Sequence, residues 1–79
     1  MYHFHNPNKL KITSKIVGKT VYEINIRSKF NLNMIAIVKE DVTSIDIKPD
    51  LILGEGDLIV IIGKTNDVQR FENFMYNVK

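Results

Sequence analysis

The sequence predicts a small α+β domain in the order β-α-β-β-β-α, with a mostly antiparallel sheet, its helices on one side, and a twofold dimer as its assembled form. Three observations carry that expectation. Residues 34–38 (MIAIV) and 58–62 (LIVII) are continuous, β-branched apolar runs, of the length that suits central strands buried on both faces. Residues 20–30 and 66–78 instead space their apolar side chains three and four apart, the period of a helix with a buried stripe. The chain has 79 residues, enough for one domain. A domain of that size buries only about 60% of its unfolded surface, and pairing with a second copy is a common remedy.

Residues 1–8 are weakly patterned and close on Asn6-Pro7-Asn8, a turn signal. The domain proper is expected over 9–79. Lys9, Leu10, Lys11, Ile12 and Thr13 alternate polar and apolar and read as a first strand. A loop follows over 14–19, in which Gly18 is free to take positive φ. Thr20, with Glu23 three residues on, has the form of a capping box opening a helix. Val21 and Ile24 lie three apart, and Tyr22, Ile26 and Phe30 four apart, with an expected break near Asn25 and a stop at Asn31-Leu32-Asn33. After the 34–38 strand, Glu40-Asp41 makes a turn. Ile45 and Ile47 then alternate with Asp46 and Lys48, an edge-like strand ended by Pro49. Leu51 and Leu53 precede the tight turn Gly54-Glu55-Gly56-Asp57, after which the 58–62 strand ends at Gly63. Asn66 is placed to cap the last helix, with Gln69 at the capping-box position, and Val68, Phe71, Met75 and Val78 form its buried face.

Composition narrows the function. There are no cysteines, so disulfides and thiolate metal sites are excluded. The formal net charge of +2 is too small to argue for nucleic acid or a membrane surface. No apolar run approaches the ~20 residues of a membrane span, and the first residues lack the pattern of a signal peptide. A cytoplasmic protein without direct membrane insertion is expected.

Gly-Lys-Thr occurs at 18–20 and again at 63–65. A phosphate-cradling P-loop also needs a glycine five residues upstream, where Thr13 and Leu58 stand instead. Both copies read as turns that lead into helices. His3 and His5 could share one strand face, but no third ligand lies near them in the sequence, and two exposed histidines are the expectation. They are also the chain's only histidines, and no serine or threonine carries the signature of an activated nucleophile. An enzyme is therefore not expected. Glu55 and Asp57 are expected as a solvated turn, and Lys9, Lys11, Lys15 and Lys19 as solvated surface without the interleaved aromatics of a nucleic-acid platform. Arg27, in an apolar helix and trailed by Asn31 and Asn33, is the notable polar residue. Arginine suits phosphate and asparagine a purine edge, yet on pattern alone an ordinary exposed arginine is the expected reading.

The same residues resemble a known family. The run Gly18-Lys19-Thr20-Val21-Tyr22-Glu23-Ile24-Asn25-Ile26-Arg27 is similar to the opening of the C-terminal lobe of RCK domains, the TrkA-C domain. Asn33-Met34-Ile35-Ala36-Ile37 resembles its next strand, and Pro49-Asp50 with the stretch 53–63 its ending. Val68-Gln69-Arg70-Phe71-Glu72 resembles the tail of regulatory subunits of Ktr-type potassium transporters. The resemblance implies that residues 1–8 extend from, or link to, a Rossmann-like lobe. It implies a gating subunit that forms rings on the cytoplasmic face of a membrane-embedded potassium-translocating partner, within which C-terminal lobes pair as twofold homodimers holding cyclic di-AMP. The implied function is control of potassium uptake, with that nucleotide as ligand and no other cofactor in these residues. Carried over by position, the ligand site would comprise Val21, Tyr22, Ile26, Arg27, Asn33, Met34 and Pro49. Two other readings remain open: the cytoplasmic regulatory tail of a cation/proton antiporter, and a dimerisation domain without ligand.

Overall fold

The computed structural model describes residues 6–77. Its elements are β1 (Asn8–Lys11), α1 (Val21–Ile24), α2 (Ile26–Phe30), β2 (Asn33–Lys39), β3 (Val42–Ser44), β4 (Leu58–Ile62) and α3 (Thr65–Tyr76). The four strands form one sheet in the order β1-β4-β2-β3, every pair antiparallel. The apolar run of β4 is therefore central. Leu10 pairs with Ile59 on one side and Ile37 with Ile59 on the other. Burial on both faces, expected from the unbroken runs, is only partial: Ile59 and Ile61 of β4 are fully buried while Leu58, Val60 and Ile62 on the other face are half-buried, and Ile35 of β2 is exposed.

The core lies on the face that carries Leu10, Ile37, Ile59 and Ile61. Ile59, Ile61, Leu32, Leu53 and Phe71 have no solvent exposure. α3 lays Val68, Phe71 and Met75 onto this face, as the helical spacing predicts; Val78 falls outside the described residues. The C-terminal end of α3 is pinned to the end of β1: Tyr76 donates its hydroxyl to the Lys11 carbonyl at 2.6 Å, and Thr13 donates to the Met75 carbonyl at 2.7 Å. Gly63 turns β4 toward α3 hard against the core, where a Cβ would come within 2.5 Å of the Leu32 side chain.

Three local expectations are corrected. The third strand is β3 at Val42–Ser44, not the alternating stretch around Ile45 and Ile47. The reason is the two-residue turn at Glu40 and Asp41, both with positive φ (49° and 66°). Such a turn sends the chain straight back into pairing, so Lys39 meets Val42 and pairing is over by Ser44. Beyond it, Ile47 packs on the core while Ile45 stays 80% exposed. The last helix begins at Thr65 and takes Lys64, not Asn66, as its cap residue, because only Gly63 and Lys64 separate it from β4. Asp57 is not a solvated turn residue. Its carboxylate is buried, accepts the Gly54 backbone N–H at 2.7 Å and pairs with the Lys39 ammonium on β2. The turn's own closure at Asp57 N to Gly54 O, 3.1 Å, aims that side chain inward.

A buried carboxylate with two partners is costly to unpair, at about 1.5–3 kcal/mol for a charged hydrogen bond. Asp57→Ala is expected to lower the stability measured by urea unfolding by about 2 kcal/mol. Asp46→Ala, at an exposed pair with Lys48, should change it by no more than about 0.5 kcal/mol. Equal effects would show that the Asp57 cluster adds nothing to the fold.

Candidate functional site

The site begins with a broken helix. Thr20 caps α1 as its sequence predicts: the Glu23 backbone N–H donates to the Thr20 hydroxyl at 3.0 Å, and the Thr20 N–H to the Glu23 carboxylate at 2.8 Å. That backbone N–H is the main reason the Glu23 carboxyl sits below its ordinary value, with the Thr20 hydroxyl and the Lys19 charge adding to it. A carboxylate lowered by folding stabilises the folded state at neutral pH, and that contribution is lost only as pH falls through the lowered value.

α1 ends after one turn because Asn25 is left-handed, with φ 44° and ψ 53°. Asparagine tolerates this conformation better than most residues. The chain restarts as α2 and ends at a second left-handed asparagine, Asn31 (φ 57°). Neither helix would survive alone at such length. They are held by burial of Ile24, Ile26 and Leu32, and by a main-chain ladder to the segment after β3. Gly18 N donates to Leu53 O, Leu53 N to Lys19 O, Val21 N to Leu51 O and Tyr22 N to Pro49 O, all at 2.8–2.9 Å.

That ladder brings Pro49 and Ile47 beside α1, and β2 enters from the other side. Between them lies an open groove of about 380 Å³, lined by Val21, Tyr22, Asn25, Ile26, Arg27, Leu32, Asn33, Met34, Ile47 and Pro49. All seven residues carried over from the family resemblance are in this lining. Of the two asparagines that follow Arg27, Asn33 faces the groove, while Asn31 donates to Asp67 on α3 at 3.3 Å. Sequence reasoning missed Asn25, Leu32 and Ile47. The helix break, an apolar residue between two asparagines and the Ile45/Ile47 alternation were the signals available for them.

The groove has an apolar floor and a polar rim. Ile26 and Leu32 are buried, Val21, Met34 and Ile47 half-buried, and Tyr22, Asn25, Arg27, Asn33 and Pro49 exposed. Arg27 is the sole charged residue in the lining, and no ion pair among the described residues engages it. An unpaired guanidinium beside two side-chain amides and an apolar floor suits an anion that carries a flat heteroaromatic group. No group of histidines, cysteines and carboxylates able to hold a metal occurs among the described residues. His3 and His5 lie outside them. No helix among the described residues is long and apolar enough to cross a membrane.

The fold is that of a small α+β domain with an open groove on one side, and comparison with known proteins gives its family. The TrkA-C domain family matches residues 9–76, and the chain belongs to it. Ktr system potassium uptake protein A of Bacillus subtilis (strain 168) is 32% identical over 65 residues, covering 82% of this chain and 29% of that protein. The ammonium/H(+) antiporter subunit AmhM of Alkalihalophilus pseudofirmus is 29% identical over 59 residues, covering 75% and 35%. This chain thus spans about a third of these curated relatives. Among solved structures, the RCK C domain of the potassium transport protein KtrA, in complex with cyclic diadenosine monophosphate, superposes with a TM-score of 0.86 at 34% identity, over 90% of this chain and 84% of that one.

The groove depends on the bend at Asn25. A β-branched residue there must adopt a left-handed backbone at a cost of roughly 1–2 kcal/mol, whereas glycine adopts it freely. Asn25→Val is expected to lose about that much stability by thermal or urea unfolding. Asn25→Gly should match the parent; a Val variant as stable as the Gly variant would show that the bend is not left-handed in solution.

Proposed function

We propose that this chain is the ligand-sensing lobe of a potassium-uptake regulator, binding cyclic di-AMP in the Arg27 groove of a twofold dimer without catalysing a reaction. The observation that carries the reading is Arg27 itself, an unpaired guanidinium over an apolar floor, in a chain 34% identical to a domain solved with that nucleotide. One groove, open on one side and about 380 Å³ in volume, is at the small end of the ~300–1,000 Å³ typical of ligand sites. Two grooves facing across a twofold axis would enclose a ligand that has a twofold axis of its own, with one Arg27 for each phosphate. Tyr22, Ile45 and Ile52, at 76%, 80% and 59% exposure, supply apolar surface of the kind a partner covers. In this reading the lobe works on the cytoplasmic side, within a larger ring, on a membrane-embedded potassium-translocating subunit. The likeness to AmhM favours one second reading, the same lobe regulating a cation/proton antiporter.

Dimerisation is tested by sedimentation at micromolar concentration, with and without cyclic di-AMP. A pair is expected, at least with ligand; a 9.1 kDa species under both conditions would refute it. Ligand binding is tested by calorimetry against cyclic di-AMP, cyclic di-GMP, ATP and NADH. Tight binding is expected for the first, and weak or none for ATP and NADH, since no G-x-G-x-x-G turn occurs in the sequence. Removing one partner of a desolvated charged pair costs about 2–5 kcal/mol, so Arg27→Ala should weaken cyclic di-AMP by about thirty-fold or more. Arg27→Lys should fall between, keeping charge but losing the planar fork. Arg70→Ala, on α3 and paired with Asp67 at 3.1 Å, should bind as the parent does. A folded Arg27→Ala variant with parental affinity would move the phosphates elsewhere.

A further inference from the structure

α1 and α2 have a second side. Behind the groove, between these helices and α3, lies a separate notch of about 260 Å³. Its floor is Ile16 and Ile24, both buried, and its walls are Phe30 and Phe74. The phenylalanines belong to a three-ring cluster: Phe30 meets the buried Phe71 edge-on at 5.1 Å and Phe74 at 5.5 Å. Phe74, the outer member, is left 39% exposed. The rim is basic. Lys19 and Lys29 line it, and Lys15 stands over the Phe74 ring at 5.1 Å. None of the three is within salt-bridge distance of a carboxylate among the described residues, whereas Lys39, Lys48 and Arg70 each are. The single acid in the lining, Glu23, is already held by the Thr20 N–H.

From this we infer that the notch is a docking site for a partner-protein segment that presents one large apolar side chain flanked by carboxylates. Charge decides between occupants: a basic rim over an apolar hole fits an apolar side chain with acidic neighbours. A notch of about 260 Å³ has room for one such anchoring side chain. An exposed aromatic wall gains from being covered. Lys15 and Lys29, with no salt bridge among the described residues, and Lys19, whose charge is shared with Glu23, leave the rim net basic; it selects an acidic surround through attraction on approach and repulsion of basic segments. Apolar anchors seated in grooves and acidic motifs read by basic clusters are both recurring peptide-binding modes, and this notch offers the elements of each. The inference does not rest on the nucleotide reading, because Val21, Tyr22, Ile26 and Arg27 face the other groove.

The test is selection of random peptides of about twelve residues, some three helical turns, displayed on phage against the immobilised chain. The selected sequence is then synthesised, its affinity measured by fluorescence anisotropy, and its position mapped by methyl NMR. The expected winners place Phe, Leu, Ile or Met beside Asp or Glu, shift the Ile16 and Ile24 methyl signals, and weaken with added salt. The double variant Lys15→Glu/Lys29→Glu changes two exposed side chains, so the fold should persist, as checked by circular dichroism. It should bind the winning peptide about ten-fold or more weakly, a loss of about 1.4 kcal/mol or more. Three outcomes each overturn the inference: no enrichment over an uncoated control, winners without acids, or a peptide that binds the folded double variant as tightly as the parent.

Discussion

Asn25 carries the chain from α1 to α2 with a left-handed backbone, and the disposition of both grooves follows from that bend. A continuous helix over the same residues would point its side chains around one axis. Two short helices set at an angle can instead bury Ile24 and Ile26 in a single core while turning Tyr22 and Arg27 one way and Lys29 and Phe30 the other. Helices of four and five residues have no stability of their own. Their shape is imposed by the core and by the main-chain ladder to residues 49–53. The walls of both grooves are therefore shaped by the core beneath them.

Most of this architecture was legible before any coordinates, because its signals are local. The two apolar runs, the Thr20–Glu23 capping box and the left-handed asparagines each express a rule that acts within a few residues. What was not legible depended on partners distant in sequence. Val42, Thr43 and Ser44 are all exposed, so no alternation marks them as a strand. Only pairing with β2 makes them one. Asp57 has the composition of a solvated turn and is buried because Lys39, on another strand, reaches it. The groove shows the same division. Pattern alone singled out Arg27, and the resemblance to the TrkA-C family supplied the six residues around it. Asn25, Leu32 and Ile47 emerged only when the ladder to Pro49 drew separate segments together.

Charge is distributed with little neutralisation where it matters. The described salt bridges, Lys39–Asp57, Lys48–Asp46 and Arg70–Asp67, lie outside both lined grooves. Among the described residues, Arg27 on one side and Lys15, Lys19 and Lys29 on the other make no salt bridge, although the Lys19 charge acts on Glu23. A formal net charge of only +2 thus understates the two local fields, each concentrated over apolar floor where solvent screening is weaker.

The placement of β1 at the sheet edge bears on the order in which the molecule assembles. β2 and β3 are joined by a two-residue turn and can meet within microseconds, the timescale of a hairpin. Among the described residues β1 pairs only with β4, Lys11 opposite Leu58, which closes a loop of roughly fifty residues at an entropic cost that the hairpin does not bear. β1, which precedes the other strands of this sheet in the chain, would then be the last of them to dock, after β4 has joined β2 and presented its free edge. In a growing polypeptide, Leu10 and Ile12, both buried in the finished core, would wait exposed until β4 has been synthesised, the interval in which such a chain is most prone to aggregate.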